Sequence, residues 1–188
     1  VADAKMRQFN RDGTEGGMGG NALRCVGKYL YDRGIVAGQD ITVETVGGVK
    51  ALHLFTRYGE VSSVAVDMGP AAFDPKAVPC ALPGQRAVAV PAKVAGGEYT
   101  VTCASMGNPH CVVFTDHVDA LDLQTLGPRF ENDPLFPERV NAEFVRVVNP
   151  TTLRMRCFER GSGETMACGT GACAAAAACA AIVTRTAA

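Results

Sequence analysis

The sequence contains no tryptophan, and only 6% of its residues are aromatic. That shortage argues against a stacking platform for bases or sugars. The formal net charge is −1 at pH 7, so the charge balance gives no reason to expect nucleic acid or an anionic membrane surface as a partner. The eight cysteines (Cys25, Cys80, Cys103, Cys111, Cys157, Cys168, Cys173 and Cys179) include no Cys-x-x-Cys pair, which leaves a structural zinc site without support. The longest apolar run, Gly171 to Val183, is too short and too alanine-rich to span a membrane. No Asp or Glu follows Glu164. Gly169-x-Gly171-x-x-Ala174 therefore lacks the acidic residue that a dinucleotide-binding turn requires roughly 20 positions on.

What is present fits a soluble globular chain. Its 188 residues are 47% hydrophobic and 20% charged, enough for one domain or two small ones. Small neutral or zwitterionic substrates remain open. The cysteines read as reduced thiols of a cytoplasmic protein, because several lie within patterned apolar segments and no signal peptide is visible.

Asn21 to Arg33 has the pattern of a helix: Leu23, Val26 and Leu30 share a face, and Gly34 suits its end. Lys5–Phe9, Asp40–Val46, Val49–Thr56 and Val61–Asp67 read as strands. Pro70, Pro75, Pro79 and Pro83 crowd into residues 69–84, which marks a linker. Beyond it, strands are expected at Arg86–Pro91, Glu98–Cys103, Cys111–Thr115, Ala142–Val148 and Leu153–Phe158. A short helix is expected at Ala120–Leu126, ending at Gly127-Pro128, and a last helix at Gly169–Thr184. Residues 1–68 and 85–188 thus form two halves. The last helix is small on all sides, which suits a helix enclosed by a sheet. The strands are few for that, and the chain opens at once on a strand, so the fold is expected to be cut at both ends.

The segment from Phe158 to Cys173 carries the chemistry. Cys168 stands directly before Gly169-Thr170-Gly171 at a helix start. Backbone N–H groups there suit a carboxylate or phosphate. The same positive potential can bring a thiol from a pKa of ~8.5 into the ~3.5–7.5 range, making thiolate available near neutrality. Glu159-Arg160 closes the preceding strand, and an arginine fork suits a carboxylate substrate. Gly107-Asn108-Pro109-His110 forms a turn between strands, with Asn108 free to face a ligand and His110 able to tune a thiol.

This segment has an echo. A constant offset brings Phe9, Arg11, Glu15 and Gly20 onto Phe158, Arg160, Glu164 and Gly169, and it brings Gly19 onto Cys168.

Phe9–Glu15, Gly20–Cys25, Ser105–His110, Leu135–Asn141 and Glu159–Ala172 together resemble the diaminopimelate epimerase family, in that family's order and over most of the chain. The resemblance implies an α+β fold of two pseudo-symmetric domains, each a mainly antiparallel β-barrel wrapped around a central helix. It implies a PLP-independent isomerase, with no cofactor and no metal, that interconverts LL- and meso-diaminopimelate on the route to lysine and peptidoglycan. In the family two cysteines face each other across the substrate α-carbon. One removes the α-proton and the other returns a proton to the opposite face. Carried over by matching residues, Cys168 is one acid/base. Asn10, Gly20, Asn21, Asn108, Asn141, Glu159, Arg160, Gly169 and Thr170 contact substrate, while His110 and Glu159 influence thiol protonation. The second cysteine belongs at Gly19 and is absent. Cys25 lies more than one turn into the helix and is no substitute.

The implied partner is a small amino acid, with no nucleic acid and no membrane, and a homodimer is left open. The expected activity is epimerisation impaired by Gly19. The alternatives are a catalytically dead substrate binder and a related proline or hydroxyproline racemase. The Glu-Arg-Gly-Ser-Gly-Glu loop and the Gly-Asn-Pro-His turn favour the diaminopimelate branch.

Overall fold

The computed structural model of the chain describes residues 2–9, 13, 15–16 and 19–186, with side chains through 184 in the last helix. The chain divides into two compact units, Val1–Gly69 and Pro70–Ala188.

The first unit contains β1 (Ala4–Lys5), β2 (Gln8–Phe9), β3 (Glu15–Gly16), α1 (Gly20–Asp32), β4 (Asp40–Thr45), β5 (Gly48–Arg57) and β6 (Glu60–Val66). Its main sheet runs β1-β4-β5-β6, with β1 parallel to β4 and the other pairs antiparallel. The expected strand Lys5–Phe9 is split, and its second part pairs with β3. Alternation in β4 buries Ile41, Val43 and Thr45. Ile41 and Val43 share a core with Leu52, Leu54 and Val61 from the neighbouring strands and with Leu23 and Leu30 of α1. Gly27 lets the helix come close, since a Cβ there would lie 2.9 Å from Leu52 Cδ2. Both backbone groups of Val61 are tied to the last turn of α1. Its N–H donates to Asp32 at 2.9 Å, and its carbonyl accepts from Lys28 Nζ at 2.8 Å.

The second unit contains β7 (Val90–Val94), β8 (Gly97–Ser105), β9 (Pro109–Phe114), α2 (Leu123–Glu131), β10 (Asn141–Asn149), β11 (Thr152–Glu159), β12 (Gly163–Thr165) and α3 (Gly169–Thr186). Its sheet order is β12-β11-β10-β9-β8-β7. Within this sheet only the β9–β10 pair is parallel among the described strands, and α2 lies in the crossover that this requires. The period of two sorts the side chains by face. Val101, Cys103, Cys111, Val113, Ala142 and Phe144 enter a core with Phe130 and Phe136. Their neighbours His110, Asn141 and Glu143 occupy the opposite face, where α3 packs against β8 to β11.

Several expectations are corrected. Both main sheets are open among the described residues, and neither closes into a barrel. Helix α3 is not enclosed: Ala174, Ala175 and Ala178 are buried, whereas Ala172, Ala176 and Ala180 face outward. The proline-rich segment 69–84 is not a free linker over most of its length, because Val78 and Leu82 are buried in the second core and Ala72 pairs with Ser105. The strand expected at Arg86–Pro91 starts later, at Val90, since Ala89 turns into the left-handed region with φ 49°. Gly127-Pro128 does not end the short helix. Asp122 caps α2 by accepting from the Gln124 and Thr125 N–H groups, which moves the whole helix along the chain.

Gly127 then faces β11, and a Cβ on it would run into the Phe158 ring. Gly127→Ala is expected to destabilise the protein by about 1–3 kcal/mol through overpacking. The check is a urea titration: a lower midpoint at unchanged slope is expected, and an unchanged midpoint contradicts this packing.

Candidate active site

The head of α3 is capped by a thiol. Cys168 precedes the helix, its carbonyl accepts from the Ala172 N–H at 3.0 Å, and its Sγ accepts from the Gly171 N–H at 3.3 Å. This is the position and the bond of an N-cap side chain, with sulfur in place of oxygen. Thr170 Oγ1 lies 3.5 Å from the same sulfur. Gly171 is required here, since a Cβ on it would sit 3.2 Å from Cys168 Sγ and 2.6 Å from Glu143 Oε1.

The electrostatics reverse the expectation of a thiolate near neutrality. Cys168 is buried, and burial pushes its thiol up to about 12. The Thr170 hydroxyl and the Gly171 N–H pull it down, while the neighbouring Glu159 pushes it further up. Loss of solvent therefore outweighs the helix N-terminus in the ligand-free protein.

Behind the thiol lies a connected set of polar groups. Asn108 Nδ2 donates to Thr170 Oγ1 at 3.3 Å, Asn108 Oδ1 is 2.9 Å from His110 Nε2, and His110 Nδ1 is 2.7 Å from Glu143 Oε1. His110 thus reaches the thiol through Asn108 and Thr170. Glu143 has no exposed surface, and burial raises its carboxyl above the usual range against the opposing pull of His110. Sequence reasoning missed Glu143. The signal was a carboxylate two residues after Asn141 within the apolar stretch Ala142–Val145, where a period of two places it on the face of Asn141.

Asn141, expected to contact substrate, is buried with both ends of its amide engaged. It donates to the Pro109 carbonyl at 2.7 Å and accepts the Arg160 N–H at 2.9 Å. The Arg160 guanidinium donates to the Glu138 carbonyl at 2.9 Å. A second residue not foreseen, Glu131, accepts from the Gly161 N–H at 2.8 Å and from Arg139 at 3.1 Å, which anchors the turn after Arg160. Glu159 accepts from the Thr165 hydroxyl.

In the first unit, Gly19 occupies the N-cap of α1, with Gly20 and Asn21 opening the helix. Glycine has no side chain with which to supply a capping bond there. A Cβ on Gly19 would meet the Gln8 side-chain amide, with Cδ at 2.9 Å. Gln8 Oε1 is itself buried without a hydrogen-bond partner among the described residues. Cys25 is exposed on α1. Asn10 lies outside the described residues. Among those described, no group of three or more His, Cys, Asp or Glu side chains could hold a metal ion, and no helix is long and apolar enough to cross a membrane.

The family model for diaminopimelate epimerase matches residues 1–73 and 102–186. The chain belongs to the diaminopimelate epimerase family. It is 52% identical to the diaminopimelate epimerase of Desulfovibrio desulfuricans, over 95% of this chain and 64% of that one. It is 51% identical to that of Acetivibrio thermocellus, over 92% of this chain and 62% of the relative. The chain thus spans less than two thirds of the length of these curated relatives. Among solved structures, a probable proline racemase from Agrobacterium radiobacter K84 superposes with a TM-score of 0.70 at 18% identity, covering 96% of this chain and 56% of that one. A hydroxyproline epimerase from Agrobacterium vitis does so at 0.65 and 18%, covering 94% and 55%. These two likenesses concern the fold.

The raised thiol is directly testable. Without ligand, iodoacetamide alkylation of Cys168, followed by peptide mass spectrometry, is expected to accelerate through pH 9 and 10 without levelling. A plateau between pH 6 and 8 would show a thiolate that burial does not suppress.

Proposed function

We propose that this chain acts on diaminopimelate by cofactor-independent proton transfer at the α-carbon, with Cys168 as the acid/base group. The observation that carries this reading is the thiol capping α3. The first N–H groups of a helix lack partners within it, so those of Gly169 and Thr170 suit the substrate α-carboxylate. As the C–H bond breaks, its electron pair moves toward that carboxylate, and the proton passes to sulfur. Donors aimed at the growing charge stabilise it most. The raised thiol fits a zwitterionic substrate, because an ammonium group brought beside sulfur favours the thiolate. Arg160 and Glu159, at the end of β11, suit the carboxylate and ammonium ends of an amino acid. Reduced cysteines fit a cytoplasmic setting.

Inversion needs a second proton carrier, and the resemblance assigns it to position 19. A glycine there supplies no proton, and the Gln8 amide fills the space a side chain would use. The chain as it stands is therefore read as a one-sided exchanger with impaired epimerisation. Substrate binding without turnover is the reading next to it.

The experiment follows α-proton exchange in D₂O by NMR, with LL- and meso-diaminopimelate and with proline and hydroxyproline as controls. Exchange of diaminopimelate at centres of one configuration only is expected, and the double substitution Gly19→Cys with Gln8→Ala is expected to raise epimerisation by orders of magnitude. Equal exchange at both configurations in the unaltered chain would falsify the one-sided reading. Binding without exchange assigns the chain as a dead binder, and preference for proline assigns it to the racemase branch.

A further inference from the structure

The hydrogen bonds behind Cys168 have a direction. Asn108 donates through Nδ2 to Thr170, so its Oδ1 faces His110 Nε2 as an acceptor. His110 Nε2 must then carry a proton. In a neutral imidazole the other nitrogen, Nδ1, is an acceptor, and the group 2.7 Å from it is Glu143 Oε1. Only a protonated carboxyl can donate there. The alternative, an imidazolium beside a carboxylate, holds the same number of protons. It would leave Glu143 Oε2 as a buried anionic oxygen without a donor among the described residues. A buried charge without full compensation is strongly disfavoured.

We propose that Glu143 is protonated and is the first donor of a one-way hydrogen-bond chain, Glu143 to His110 to Asn108 to Thr170, that ends on the Cys168 sulfur. Glu143 is thereby a positioning residue: it fixes the tautomer of His110, which fixes the Asn108 amide, which leaves the Thr170 hydroxyl to donate to sulfur. With the Gly171 N–H, two donors then converge on Sγ. The titratable groups around the thiol are Glu143 on β10, Glu159 on β11 and His110 on β9. With Glu143 neutral, Glu159 is the anion that remains. Burial of Glu143, which favours its neutral form, agrees with this arrangement. The inference rests on the reading of Cys168 as the reacting thiol, but its test needs no turnover.

Two measurements test it. Nitrogen-15 NMR of the imidazoles in the unaltered protein, with His110 assigned through His110→Asn, is expected to show a neutral ring protonated at Nε2. A ring protonated at Nδ1, or at both nitrogens, overturns the proposal. The second is the pH profile of Cys168 alkylation. Glu143→Gln keeps a donor toward Nδ1 and a neutral group, so the profile is expected to stay in place. If Glu143 is an anion, the same change removes a negative charge beside the thiol, and alkylation at a given pH accelerates. Thr170→Val removes the last donor and is expected to slow alkylation below saturation by roughly tenfold, with Thr170→Ser restoring it. A threonine that only packs the helix would leave Thr170→Val without a shift in the profile.

Discussion

A fully buried carboxyl group fixes the head of α3. Glu143 stands on a central strand, beneath a helix start, with no solvent. It is tolerated there because His110 meets one oxygen and because Gly171 presents no Cβ to the other side of the contact. Gly171 also leaves its N–H directed at Cys168 Sγ. One missing methyl group therefore serves three things: the approach of the helix to the sheet, the seat of a buried acid and the capping bond to the thiol. Close packing makes these inseparable.

Two opposing effects meet at the sulfur. A helix N-terminus and a hydroxyl stabilise the thiolate, and removal from water destabilises it. Helix-end effects amount to about 0.3–2 kcal/mol, whereas burial of an ionisable group can move its pKa by several units, at about 1.36 kcal/mol each. Burial wins here. A thiol held neutral at rest is protected from adventitious alkylation and oxidation, which attack thiolates. A positive charge brought beside such a thiol would favour its thiolate.

The helices, most strands and the thiol at the head of α3 were legible in the sequence because local rules govern them. Apolar spacing in α1, alternation in β4 and a cysteine before Gly-Thr-Gly are all signals within one turn or one strand. Pairing partners were not legible. The position of β12 beside β11, the parallel join of β9 to β10 and the open sheets depend on contacts between distant residues. Gly127-Pro128 misled because a helix terminator and a packing glycine look the same until Phe158 is placed against it. The same distance hid Glu143, whose meaning comes from a histidine on another strand. The Asn141 amide bonds to the Pro109 carbonyl and the Arg160 N–H, a pattern that no local spacing encodes.

The two units start their helices in different ways, one on a glycine and one on a thiol. Glycine is among the acceptable N-caps, costing only a few tenths of a kcal/mol against the preferred residues. At Gly19 the backbone is extended, with φ −125° and ψ 106°, and its carbonyl accepts the Leu23 N–H at 2.9 Å, so α1 starts normally. The neighbouring Gln8 amide occupies the space beside it. A glycine at Cys168 would be far more disruptive, because there the side chain is joined to Thr170 and Gly171. The start of α1 therefore asks little of the residue at position 19, whereas the start of α3 is tied to its cysteine.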